Sequence, residues 1–324
     1  MSNDAASLTV RVRSRRGRPT APSRAVSVGL LAVACMVTPV NLFAWGDVGH
    51  RLIGLAAAQQ LPAAMPAFFR AAGQQLSYLN PEPDRWKDRA ERTLDPALEG
   101  STSPEHYIDM DLVPPAVLRA ALGAPNRYGF ADTLRAAGAA ASTVGFLPFE
   151  ILEMTQQLRG DFRLWRIAPD STVRSWIEAR IIDDAGILGH YVADGSNPHH
   201  TTKHHNGWVG DNPRGFTIDN TFHSRFESRY VQGQIKLPDL LAGMTAAPRV
   251  FPNLREAIVT YLHASFGHVE ELYQLDTATP FQAETTTPEQ KAFATRRLAD
   301  GAEMLRDIWW TAWVTSGQPV LPPR

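Results

Sequence analysis

Ser171-Thr-Val173-Arg-Ser-Trp176-Ile177-Glu-Ala-Arg-Ile181-Ile-Asp-Asp-Ala-Gly-Ile187-Leu188-Gly-His190-Tyr-Val-Ala-Asp194 is the stretch whose reading decides the fold. Asp170 and Ser171 form an N-terminal cap, and Val173, Trp176, Ile177, Ile181, Ile187 and Leu188 recur near the helical period. The spacing predicts one long buried helix, with His190 and Asp194 four residues apart on a single face. An imidazole and a carboxylate set among apolar neighbours are costly unless paired, and a shared cation satisfies both. The alternative is an ordinary helix-stabilising polar pair.

The same period recurs outward from this stretch. Leu254 to Leu272 places Ile258, Leu262, Phe266 and Val269 on one face, and Glu289 to Trp313 ends in Trp309, Trp310 and Trp313. Val48 to Leu61, Phe130 to Ala141, Phe149 to Leu158 and Phe216 to Tyr230 also read as helices. Alternating strand patterns, a nucleotide-type glycine loop and internal repeats are all missing. Pro- and Gly-containing joints near 80–84, 111–115, 123–126, 195–214 and 274–288 read as loops inside one domain. The expected fold class is all-α, a single-domain multi-helix bundle over residues 45–324.

The chain has 324 residues, 44% hydrophobic and 20% charged, which is enough apolar content for a large core and excludes a disordered or fibrous protein. Residues 1–44 read as a signal peptide: an Arg-rich start, the apolar run from Val26 to Val37, and small Ala44 before Trp45. The expected location is therefore periplasmic or extracellular. The formal charge of -1 hides an asymmetry, because the leader carries six Arg against Asp4, leaving 26 basic and 32 acidic residues beyond it, a net of -6. That balance speaks against tight duplex binding. Cys35, the single cysteine, lies in the leader, so any metal beyond it must be held by imidazole and carboxylate.

Six of the ten histidines, His190, His199, His200, His204, His205 and His223, fall within one short region. His223-Ser-Arg-Phe-Glu227 repeats the four-residue spacing, and Asn197-Pro-His199-His200 follows the helix end. Upstream stand His106-Tyr107-Ile-Asp109, Pro83-Asp84-Arg-Trp-Lys87-Asp88 and Trp45-Gly-Asp-Val-Gly-His50. Nitrogen and oxygen donors without sulfur suit zinc in a hydrolytic site with open positions.

In this order along the chain, from Trp45 to Glu227, the motifs resemble the zinc-dependent superfamily of phospholipases C and single-strand nucleases. The resemblance implies an all-helical fold with a trinuclear zinc site. One zinc would be held by Asp84, His106, His190 and Asp194. A second would take the amine and carbonyl of Trp45 with His50, sharing Asp194 as a bridge. The third would be held by His200, His223 and Glu227. The six-residue step from Asp194 favours His200 over His199, and the basic residue three positions on favours Asp84 over Asp88.

The same resemblance implies hydrolysis of phosphodiester bonds by a zinc-activated hydroxide, with Asp84 orienting the water, and a free amine at Trp45 after leader removal. Lys87 would contact phosphate, Tyr107 would stack on a base and Asp109 would hydrogen-bond its edge. Those positions point to a single-strand nuclease or 3′-nucleotidase acting on single-stranded nucleic acid or nucleotides, expected as a monomer without a stable protein partner. Glu227, where the nucleases usually have Asp, points instead to a phospholipase C acting on phospholipid head groups. Ala193 and Asn197 depart from both branches. A non-catalytic exported zinc-binding protein is the alternative of a different class.

Overall fold

The computed structural model describes residues 45–318, apart from Ala246 and the side chain of Arg89. The leader expected over residues 1–44, with its expected cleavage after Ala44, lies outside the described residues. Within them the structure is helical, with no strand. Three long helices, Leu147–Arg166, Ser171–Ser196 and Pro288–Ser316, pack against one another, and Gly46–Gln59 packs on the last two. No helix among the described residues is long and apolar enough to cross a membrane.

The deciding helix runs Ser171–Ser196, and Asp170 Oδ1 accepts from the Val173 amide at 2.8 Å, as the cap requires. Its first turns are covered on one side only, so Trp176, expected on the core face, is 67% exposed. From Ala185 onward the helix is enclosed, and Leu188 to Ser196 are all buried. Close approach by the Gly73–Leu79 helix and Asn80 explains two glycines here. A Cβ on Gly186 would lie 2.4 Å from Leu79 Cβ, and one on Gly189 would lie 2.4 Å from Asn80 Nδ2.

Several boundaries differ from the periodicity. Leu254 to Leu272 divides into Leu254–Phe266 and Val269–Ala278, because the chain turns at Gly267 and His268, whose amides bond His263 and Ser265 carbonyls at 3.0 Å. Phe149 to Leu158 is the middle of a longer helix, Leu147–Arg166. The reading of Phe130 to Ala141 shifts to Arg127–Ala136, capped by Asn126 Oδ1 on the Gly129 amide at 3.0 Å. Phe216 to Tyr230 is not helical throughout. Asn212 ties both the amide and the carbonyl of Phe216 into a loop, and helix begins only at Phe222–Ser224, followed by a π-helical turn, Arg225–Tyr230. Short helical turns also occupy Glu82–Arg85 and Pro198–Thr201, inside joints read as loops.

Candidate metal centre

Five segments converge on the enclosed half of the Ser171–Ser196 helix, which itself supplies His190 and Asp194. The Gly46–Gln59 helix brings His50, the Glu82–Arg85 turn Asp84, and the Ser103–His106 turn His106. The Pro198–Thr201 turn brings His200, and the segment from Phe222 to Tyr230 brings His223 and Glu227. Apart from His223, which is partly buried, all of these side chains are buried.

Asp194 stands at the centre. Its Oδ2 lies 3.0 Å from His106 Nδ1 and 3.3 Å from His190 Nε2, and its Oδ1 lies 3.5 Å from His50 Nε2. Asp84 Oδ1 is 3.8 Å from His190 Nε2 and 3.9 Å from His106 Nδ1. A second focus forms where His223 Nε2 lies 2.8 Å from Glu227 Oε2 and 3.2 Å from His200 Nε2. Donor atoms of His50, Asp84 and His190, of His106, His190 and Asp194, and of His200, His223 and Glu227 each lie within 4.8 Å of one another. Ligands about 2.1 Å from a tetrahedral ion are separated by roughly 3.4 Å, so these spacings are those of groups that could hold metal ions.

Hydrogen bonds behind the imidazoles fix which nitrogen faces inward. His190 Nδ1 donates to the Asn80 carbonyl at 2.9 Å, His50 Nδ1 to Asn80 Oδ1 at 2.9 Å, and His200 Nδ1 to the His106 carbonyl at 2.6 Å. Each Nε2 is then left as a lone pair aimed into the cluster, the usual arrangement behind metal-bound histidine. Buried atoms without hydrogen-bond partners include His50 Nε2, Asp84 Oδ2 and Asp194 Oδ1. A cation would satisfy all three, so the residues present fit a metal site.

Burial shapes the charge. It drives His50 and His106 well below their usual range, and holds His190 down to about 4 and His223 to about 3. Desolvation also lifts Asp194 and Glu227 to about 7. These four imidazoles are therefore neutral near neutral pH, and burial outweighs the favourable contacts of the two carboxylates.

Trp45 lies at the second focus. Its backbone N–H donates to Glu227 Oε2 at 3.0 Å, and its carbonyl accepts from the Gly49 amide at 3.0 Å. Lys87 Nζ sits 2.6 Å from Asp84 Oδ1 and 3.4 Å from His106 Nδ1, inside the ring of ligand atoms. Tyr107 is half-buried, its hydroxyl donating to the Ser142 carbonyl at 2.7 Å. Asp109 is 4% exposed with Oδ1 unpartnered, and burial followed by the charge of Asp111 pushes it up to about 7.

Competing candidates separate clearly. Asp88 is exposed and caps the Arg89–Leu94 helix, whereas Asp84 joins the cluster. His199 packs edge-on to Phe222 with ring centroids 4.8 Å apart and belongs to none of the three groups, whereas His200 does. His204 stacks on Trp208 at 3.9 Å. Sequence reasoning missed Asn80, which steers two imidazoles, because nothing in its local pattern marks it. It also missed Asn197, whose Nδ2 donates to Glu227 Oε2 at 3.2 Å, and Ser196, whose Oγ accepts from Trp45 Nε1 at 3.0 Å.

Fold and site together define an all-helical protein with buried imidazole and carboxylate clusters able to hold metal ions. Comparisons with protein-family models, curated proteins and solved structures find no match for this chain.

Proposed function

We propose that this chain is an exported zinc-dependent phosphodiesterase that cleaves single-stranded nucleic acid, with three zinc ions held among Trp45, His50, Asp84, His106, His190, Asp194, His200, His223 and Glu227. The observation that carries it is Asp194, whose two carboxylate oxygens each face histidines, His106 and His190 on one side and His50 on the other. A carboxylate so placed can bridge two cations.

Zinc bound there would bring a water's pKa towards neutrality and offset phosphate charge. The chain's own residues do the rest. Asp84 would orient the attacking water and take its proton as the water oxygen bonds to phosphorus, and that proton would pass to the sugar oxygen released as the P–O ester bond breaks. Lys87, already beside Asp84, offers its ammonium to a phosphate oxygen. Tyr107 and Asp109 would meet the nucleobase, the first through its ring and the second through its unpartnered Oδ1. Asp109 also supports nucleic acid over phospholipid, since a buried carboxyl near neutrality can donate to or accept from a base edge. No Ser or Cys nucleophile is required.

The test uses protein beginning at Trp45, loaded with zinc and assayed on single-stranded DNA and on phosphatidylcholine. Cleavage of DNA that stops with chelator and returns with zinc is the expected result. Cleavage of phosphatidylcholine alone would move the chain to the phospholipase C reading. Bound zinc with turnover of neither substrate would leave a zinc-holding protein and end the enzymatic reading.

A further inference from the structure

Away from the metal centre, a cavity of about 830 Å³ opens between the Leu254–Phe266 and Pro288–Ser316 helices. Thr245, Ala247, Arg249 and Phe251 lie on its rim, and the backbone amides of Thr245, Arg249 and Phe251 donate hydrogen bonds to Glu303, Asp307 and Thr311 of the second helix. This volume is in the range of small-molecule sites. Phe251, Ala257, Ala264 and Met304 give it an apolar wall.

Two of its lining residues each carry a buried polar atom without a hydrogen-bond partner. Ser265 is 4% exposed and its hydroxyl makes no hydrogen bond. Arg297 is 7% exposed, and although Nη2 lies 2.8 Å from Asp300 Oδ2, its Nε is unpartnered. Native structures seldom leave buried donors without acceptors. Ser265, His268 and Arg297 all line this cavity, and Arg297 and His268 both pack on the Phe293 ring, at 5.6 and 6.1 Å.

We propose that this cavity binds a small monocarboxylate with a short apolar body, its oxygens taken by Arg297 Nε and Ser265 Oγ. The charge count sets the class. Arg249 is paired with Asp307, and Arg296 and Arg297 with Asp300, while Glu256 and Glu303 also face the space. A phosphate dianion would meet these acids, whereas one carboxylate needs only the two idle donors. None of the proposed metal ligands lines the cavity, although Ser196 in its wall accepts from the indole of Trp45, which is one of them.

Calorimetric titration of the full chain with hexanoate tests this, with inorganic phosphate as competitor. Hexanoate is expected to bind wild type and Asp194→Asn alike, which excludes capture by the metal centre. Ser265→Ala should bind roughly ten-fold more weakly and fold normally, since it removes one hydroxyl. Ala264→Trp should fill the cavity and abolish binding, with an unchanged helical circular dichroism spectrum. No binding at millimolar hexanoate, binding indifferent to both cavity variants, loss of binding in Asp194→Asn, or displacement by phosphate would each overturn the proposal.

Discussion

Asn80 Oδ1 accepts the Nδ1 proton of His50 at 2.9 Å, and this bond leaves His50 Nε2 facing Asp194. The backbone carbonyl of the same Asn80 holds His190 at 2.9 Å, so one residue steers two stacked imidazoles whose centroids are 4.0 Å apart. Only the first bond uses the side chain. Asn80→Ala should therefore free His50 alone, weakening one metal position by about 10- to 100-fold while His200, His223 and Glu227 keep theirs. Competition titration with a zinc chelator reads this as one weakened step. An unchanged profile would show that His50 is not oriented for a metal.

Asp194→Asn removes the charge around which His50, His106 and His190 gather. The amide cannot bridge two cations, so up to two metals should be lost and hydrolysis abolished. The His200, His223 and Glu227 group does not include Asp194 and should retain one. Elemental analysis beside a single-strand DNA assay tests both statements, and normal turnover by the variant would remove the bridging role.

The Ser171–Ser196 helix was legible because capping and period are local properties, and Asp170 caps it as expected. His190, Asp194, His223 and Glu227 were legible through their four-residue spacing, which a helical turn converts into shared direction. Spacing did not place the break at Gly267, because apolar residues continue in phase across it. Nor did it reveal Asn80, whose role depends on the tight approach to Gly189 from a distant segment. The cavity at Arg297 was equally invisible, since a missing hydrogen bond is a property of three-dimensional packing alone.

Gly145 holds the Tyr107 and Asp109 strip in place. Its φ of 101° is in the region that favours glycine, and an added Cβ would sit 2.0 Å from the Tyr107 carbonyl oxygen. The neighbouring Val144 carbonyl accepts from the Asp109 amide at 2.7 Å, so displacement would reach both side chains proposed to meet a nucleobase. Gly145→Ala should cost on the order of 3 kcal/mol of stability. It should also raise KM for single-stranded DNA while zinc content stays constant. Urea unfolding and steady-state kinetics separate the two effects, and an unaltered KM would detach this strip from substrate binding.

Beneath the turn carrying His106, Arg127 pairs with Glu105 at 2.8 Å, Glu150 at 2.5 Å and Glu153 at 2.7 Å. Three carboxylates share one guanidinium, and burial together with the charge of Glu105 pushes Glu150 up to about 7 from 4.5. Because the folded value is raised, the protonated group contributes stability that is fully present below pH 4.5 and lost as pH rises through about 7. Glu150→Gln keeps a hydrogen-bond acceptor for Arg127 but cannot ionise. Between about pH 5 and 8 its stability relative to wild type should therefore improve by on the order of 2 kcal/mol. Urea denaturation of both proteins at the two pH values measures the change. A difference independent of pH would mean that Glu150 is already ionised in the folded protein at the lower value, and that Arg127 compensates all three acids.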